Sequence, residues 1–188
     1  MQLYLVRHTQ LAVAPGVCYG QTNLDVADSF IGDLVAVRAK IIDIVPAANF
    51  SSPLKRCRKL ANHLNLQNLH LDSRLQELNF GAWEMQNWLD IPRTELDAWS
   101  HTFVDTPPPN GESFHDLYRR VNDFVTDIQK CYQNQNVLII THAGVIRAML
   151  ALALNLPLIE AFKFELDYGG LTLLKFMPEQ VSVAYVNR

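Results

Sequence analysis

Apolar positions along the chain fall into two patterns, short unbroken runs and longer stretches with helical spacing. The first run, Leu3-Tyr4-Leu5-Val6, predicts a buried strand over residues 2 to 6. Val26, Phe30, Leu34, Val37, Ile41 and Val45 then recur every three or four positions. That spacing predicts an amphipathic helix from Asp25 to Val45, stopped by Pro46. Asn49-Phe50-Ser51 reads as a short extended piece, and Ser52-Pro53 as the start of a helix running to about Leu64. A brief strand is expected over Leu69–Leu71. A loop and short helix follow through residue 90, and another helix from Arg93 to Thr102. Pro107-Pro108-Pro109 makes a stiff loop. The clearest helix is Glu112–Tyr132, with Phe114, Leu117, Val121, Phe124, Val125 and Ile128 on one face. Val137-Leu138-Ile139-Ile140 reads as a strand covered on both faces, followed by a helix from about Val145 to Leu154. Leu171–Phe176 and Val181–Val186 read as two closing strands.

Strands alternating with helices predict an α/β fold, a three-layer α/β/α sandwich around a mostly parallel sheet. With 188 residues, the whole span 1–188 is expected to form one domain.

Two strand ends change the picture from fold to chemistry. The first strand delivers Arg7-His8, and the Val137 strand delivers Thr141-His142. In an open α/β sheet, ligands bind beyond the carboxyl ends of strands. Neighbouring parallel strands would therefore bring both histidines to one edge. Ser51-Ser52-Pro53-Leu54-Lys55-Arg56 adds a helix N-terminus and a further arginine. Guanidinium groups suit phosphate because their planar donors bind two oxygens at once. Two arginines and two histidines around one point predict a site for a phosphate dianion. A neutral imidazole there can attack phosphorus, and the departing alkoxide needs a proton from a nearby carboxylic acid.

Other polar residues read more plainly. His142 alone would pass for a core histidine; its match with His8 at a second strand end makes it a site candidate. Arg58 and Lys59 read as a solvated helix face, and His63, His70, His101 and His115 as surface residues. Trp83, Trp88 and Trp99 read as core or rim, and Glu112 as a charge favourable at a helix N-terminus. Tyr19 reads equally as packing or as a stacking surface for an aromatic base.

Composition narrows the class. The net charge of -3 argues against a general nucleic-acid binder. No run reaches the roughly 20 apolar residues of a membrane span, and no leader pattern is visible, so neither nucleic acid nor membrane is an expected partner. Cys18, Cys57 and Cys131 lack metal-type spacing and read as reduced thiols, so the expected location is cytoplasmic. The carboxylates do not cluster as metal ligands, so no metal or other cofactor is expected.

Three segments resemble a known family. Leu5-Val6-Arg7-His8-Thr9, Ser51-Ser52-Pro53-Leu54-Lys55-Arg56-Cys57 and Thr141-His142-Ala143-Gly144 are similar to the signatures of the histidine phosphatase superfamily, which includes cofactor-dependent phosphoglycerate mutases. The resemblance implies a phosphoglycerate mutase-like fold and a phosphomonoesterase. It makes His8 the phosphorylated nucleophile and assigns the phosphoryl group to Arg7, Arg56 and His142, with Ala143 beside it. Leu75-Gln76-Glu77-Leu78-Asn79-Phe80-Gly81-Ala82-Trp83-Glu84 is similar to the family's proton-donor segment, which implies that role for Glu77, with Glu84 as the competing carboxylate. Gly16–Thr22, Phe80–Glu84 and Pro109–Phe114 resemble the branch that hydrolyses α-ribazole 5′-phosphate. A broad-specificity phosphatase, a mutase and a non-catalytic phosphate-binding module are the alternatives.

The chain also departs from the family. Thr9-Gln10-Leu11 stands where many members have Gly-Glu-Thr, and a family asparagine has no counterpart around Val13-Ala14-Pro15. Gln21 or Thr22 is expected to supply that polar contact to substrate. So small a chain is also expected to leave the site fairly open.

Overall fold

A computed structural model describes all residues, Met1–Arg188. Its centre is a six-stranded sheet built from β1 (Gln2–Arg7), β2 (Ala48–Ser51), β3 (Leu69–Leu71), β4 (Asn136–Thr141), β5 (Leu171–Phe176) and β6 (Val181–Tyr185). The order is β3-β2-β4-β1-β5-β6. The first four of these neighbours run parallel, and β5 and β6 close the sheet antiparallel. The protein is thus the expected α/β sandwich with a mostly parallel sheet.

Period-two alternation along β4 explains the layers. Leu138 and Ile140 face one core, with Val6 of β1 and with Phe30, Leu34, Val37, Ile41 and Leu60 from helices α1 (Phe30–Ile41) and α2 (Lys55–His63). Val137 and Ile139 face the other, larger core, with Leu117, Val121, Phe124 and Ile146. That second layer is α4 (Phe114–Cys131) and α5 (Ala143–Leu154). Helix α3 (Arg93–Thr102) lies apart, over a small cluster of Cys18, Trp83 and Ile91 that Trp88 and Trp99 pack against. The tryptophans therefore serve packing. No helix is long and apolar enough to cross a membrane.

The periodicity overran α1 at both ends. Val26 is buried in the same core but sits in an isolated bridge with Leu11, so its apolar character reports packing from a loop. Val45 is exposed. Helix α2 begins at Lys55, not at Ser52-Pro53, because Leu54 immediately before it is still extended. Helix α4 begins at Phe114, where Ser113 and Asp116 form a reciprocal capping box. Glu112 is consequently outside the helix and pairs with Arg120. Helix α5 begins earlier than expected, at Ala143 with His142 in the capping position. A helical turn at Leu158–Lys163 has no clear apolar period and was not expected.

Strand register sets the side chains at the carboxyl edge of the sheet. Arg7 lies opposite Thr141 in the parallel β1–β4 pair, and His8 N–H donates to the Thr141 carbonyl at 3.0 Å. On the other side of β4, Ser51 lies opposite Ile140, and Ser52 N–H donates to the Ile140 carbonyl at 3.0 Å. His8, His142 and Ser52 thus leave the sheet side by side.

Candidate active site

Both histidines are buried, and their rings meet edge to face with centroids 5.1 Å apart. His8 Nδ1 is 2.8 Å from the Thr9 carbonyl oxygen. A carbonyl only accepts, so Nδ1 carries the hydrogen and Nε2 keeps its lone pair. Burial, then the Arg56 and Arg7 cations, hold the His8 pKa well below the usual imidazole value. The ring is therefore neutral near neutral pH.

Arg56 is fully buried at the start of α2. Its Nε–H donates to His142 Nδ1 at 3.2 Å, and its two amino groups donate to the carbonyls of Thr22 at 2.9 Å and Gly20 at 2.6 Å. Since His142 Nδ1 accepts, Nε2 carries the hydrogen and donates to Ser52 Oγ at 2.8 Å. Burial and then Arg56 lower the His142 pKa as well. In this state both ring nitrogens of His142 are spent within the protein. Arg7, at the end of β1, lies under the Tyr168 ring with its Cζ 4.0 Å from the centroid. It donates to the Leu166 carbonyl, and its buried Nε–H has no partner.

The two candidate acids have different surroundings. Glu77 accepts from Gly144 N–H at 3.1 Å, at the first turn of α5, and from Leu78 N–H at 2.9 Å. A Cβ on Gly144 would lie 2.2 Å from Glu77 Oε1, so only glycine permits this seat. Arg120 fixes the segment from behind, donating to the carbonyls of Arg74, Gln76 and Glu77 at 2.7, 2.6 and 3.0 Å. Glu84, by contrast, accepts from the backbone of Gln21, Thr22 and Phe80 at 2.8, 2.6 and 3.1 Å, and from the Thr22 hydroxyl. Burial works to raise its pKa, but the hydrogen bonds outweigh it and the net direction is down. Glu84 is thus an ionised anchor for the 9–29 loop.

Gln21 and Thr22, expected at the substrate, are held by this same network. Thr22 gives its hydroxyl to Glu84 and its carbonyl to Arg56, while Gln21 Nε2 donates to the Glu77 carbonyl at 3.1 Å. Both fasten the loop. Outside the ring, Asp25 pairs with Lys55 and Lys59, tying the same loop to α2. Ala143 opens α5 beside His142 and is buried.

The site is also closed where an open one was expected. His8 is 1% exposed, and Arg56 and His142 are 0% exposed. Tyr168, 5.6 Å from the His8 ring, and Tyr19, 5.8 Å from the Arg56 guanidinium, lie over these groups. Their hydroxyls meet at 2.6 Å, joining two loops across the mouth. Tyr168 is invisible in the sequence because no motif marks it. The one local signal is Gly169, whose φ of +66° lets its N–H reach the carbonyls of Arg7 and His8.

The arrangement is a neutral imidazole among cations with a carboxyl group nearby, a set of groups suited to binding a phosphoryl group. Comparison with known proteins agrees. A protein of Salmonella typhimurium named adenosylcobalamin/alpha-ribazole phosphatase is 29% identical, covering 90% of this chain and 87% of its own. A Hydrogenobacter thermophilus protein provisionally named phosphoserine phosphatase 2 is also 29% identical, covering 100% and 95%. The alpha-ribazole phosphatase structure from Shigella flexneri superposes with a TM-score of 0.91 at 23% identity, covering 100% of this chain and 96% of that one, and so shares the fold. Residues 3–188, which hold every group of the ring, match the model of the histidine phosphatase superfamily (branch 1), and the chain belongs to that family of phosphatases.

Proposed function

We propose that this phosphatase works through a covalent phosphohistidine on His8, within a single domain spanning 1–188. The observation that carries the reading is the neutral, Nε2-free imidazole of His8, buried between the Arg7 and Arg56 cations. The His8 Nε2 lone pair attacks phosphorus as the ester P–O bond breaks. Glu77, protonated at that moment, gives its proton to the departing oxygen. Arg7 and Arg56 neutralise the charge gathering on the phosphoryl oxygens, each donor being worth about 3–4 kcal/mol in such sites. Water then attacks phosphorus, the P–N bond breaks, and Glu77 takes the proton from water. His142 acts first on Arg56, whose guanidinium it orients, and its Nε2–H can turn from Ser52 to a phosphoryl oxygen.

The substrate we favour is α-ribazole 5′-phosphate. The Salmonella typhimurium relative supports it, as do Tyr19 and Tyr168 at the mouth, which offer aromatic surface to a heterocyclic base. The Hydrogenobacter thermophilus relative favours a second reading, O-phosphoserine. Rapid mixing with labelled substrate and an alkaline quench should trap acid-labile label on the wild type and none on His8→Ala. Label persisting on His8→Ala refutes the nucleophile. Comparing kcat/KM for α-ribazole 5′-phosphate and O-phosphoserine decides between the substrates.

A further inference from the structure

Ser52 follows β2 directly and is fully buried against His142. Its backbone is fixed on both sides. The N–H donates to the Ile140 carbonyl at 3.0 Å, and the carbonyl accepts the Ser51 hydroxyl at 2.9 Å. Its Oγ accepts His142 Nε2–H at 2.8 Å and Leu54 N–H at 3.3 Å, so both lone pairs are engaged.

This hydroxyl is the far end of a chain that leads to a cation. A guanidinium has five N–H donors and no acceptor. Arg56 spends three of them inside the protein, on His142 Nδ1, the Thr22 carbonyl and the Gly20 carbonyl, which leaves two for a phosphoryl group. Those three bonds fix the plane of the guanidinium and hence the aim of the remaining two. His142 can accept at Nδ1 only while its one hydrogen sits on Nε2. In the other tautomer two N–H groups would face each other. The Nε2–H therefore needs an acceptor, and Ser52 Oγ is in place. Cys57 Sγ also touches the ring, 3.5 Å from Nε2 and 3.9 Å from Nδ1. Burial pushes that thiol up to about 12, so it stays protonated and accepts only weakly.

We infer that Ser52 is a positioning residue, which holds His142 in the tautomer and orientation that seat the Arg56 guanidinium and so sets the aim of the two donors left for phosphate. This rests on the proposed function, since the aim matters only if the cations take a phosphoryl group. Without Oγ, the Nε2–H is a buried donor with no partner, a cost on the scale of the Arg56 bond itself. The ring then no longer keeps one orientation.

Calorimetry with inorganic phosphate and nitrogen NMR of His142 test it. Ser52→Ala should bind phosphate about tenfold more weakly, the usual scale of one hydrogen bond to a charged group, and Ser52→Thr, which keeps the hydroxyl, within about threefold of wild type. In an Arg56→Lys background, Ser52→Ala should cost nothing further, because an ammonium has no Nε–H for His142 to hold. General loosening of the site would cost the same in both backgrounds. The wild-type spectrum should show His142 with its hydrogen on Nε2 alone, and Ser52→Ala should lose that single state. A wild-type ring with its hydrogen on Nδ1, equal phosphate affinity in wild type and Ser52→Ala, or equal losses with Arg56 and Lys at position 56 overturns the inference; the first needs no variant to fold. Both measurements are made without turnover, so any of these results leaves the phosphoenzyme trap untouched. A wild type that binds phosphate in the expected way but traps no phosphoenzyme would instead refute the covalent reading.

Discussion

Replacing Gly144 with alanine separates what Glu77 does for catalysis from what it does for stability. The new Cβ would lie 2.2 Å from Glu77 Oε1, well inside the 3.0 Å that real Cβ atoms keep. It would also lie 3.3 Å from Leu117 Cδ1, a fully buried side chain, so Glu77 is the group that yields. The carboxyl group must then move by about 0.8 Å and give up the Gly144 N–H. Losing a charge-assisted hydrogen bond costs about 1.5–3 kcal/mol, while alanine in place of glycine in a helix returns about 1 kcal/mol. The expected net loss of stability is therefore only about 0.5–2 kcal/mol. Catalysis should suffer far more, because a displacement near 1 Å costs about 10²-fold in rate. The effect must depend on the leaving group. An alkyl phosphate needs its oxygen protonated, whereas p-nitrophenyl phosphate releases a stable phenolate. Urea unfolding gives the stability, and kcat/KM on both esters gives the split. Gly144→Ala should lose about 10²-fold on the alkyl ester and much less on the nitrophenyl ester. Equal losses on both, or an alkyl-ester rate within about threefold of wild type, would remove Glu77 from the proton transfer.

Four other outcomes are expected. His8 and His142 are neutral in the fold below the pH at which unfolded histidine protonates, near 6.5. The unfolded chain then binds more protons, so stability falls as pH drops through 6.5, by up to about 1.4 kcal/mol per pH unit for each ring, and a pH-independent urea midpoint from 7 to 5 would contradict the burial argument. For the same reason kcat/KM should hold its level down through pH 6.5, and a His8 titration by NMR with an ordinary midpoint would contradict it. Glu84→Gln keeps one carbonyl oxygen for the Gln21 and Phe80 N–H groups but sets an NH2 donor against the Thr22 N–H, and should cost about 1–3 kcal/mol in urea unfolding, with faster proteolysis of the 9–29 loop. Tyr168→Phe breaks the 2.6 Å contact with Tyr19. If that contact must open for substrate, its loss of about 0.5–1.5 kcal/mol should lower KM by about two- to tenfold, and an unchanged or raised KM would show that the tyrosines do not gate entry.

Much of this protein was determined by its sequence. Short apolar runs and 3.6-residue spacing are local properties, so β1, β4, α3 and α4 could be read from neighbours alone. The two strand-end histidines were legible for the same reason, since a strand's last residue is where its apolar run stops. What the sequence could not determine depends on contacts between distant segments. Val26 carries the helix period but packs from a loop, and Ser52 looks like a cap but serves His142. Glu77 and Glu84 are equally plausible acids by residue type. Only the folded chain puts four donors from Gln21, Thr22 and Phe80 around Glu84 and sets Glu77 over the glycine of α5. Tyr168 carries no signature at all, because what distinguishes it is a hydroxyl 149 residues away. Local pattern reports what each residue prefers; the tertiary structure decides which preferences meet, because the close approach of remote groups is a property of the packed chain and not of any stretch of it.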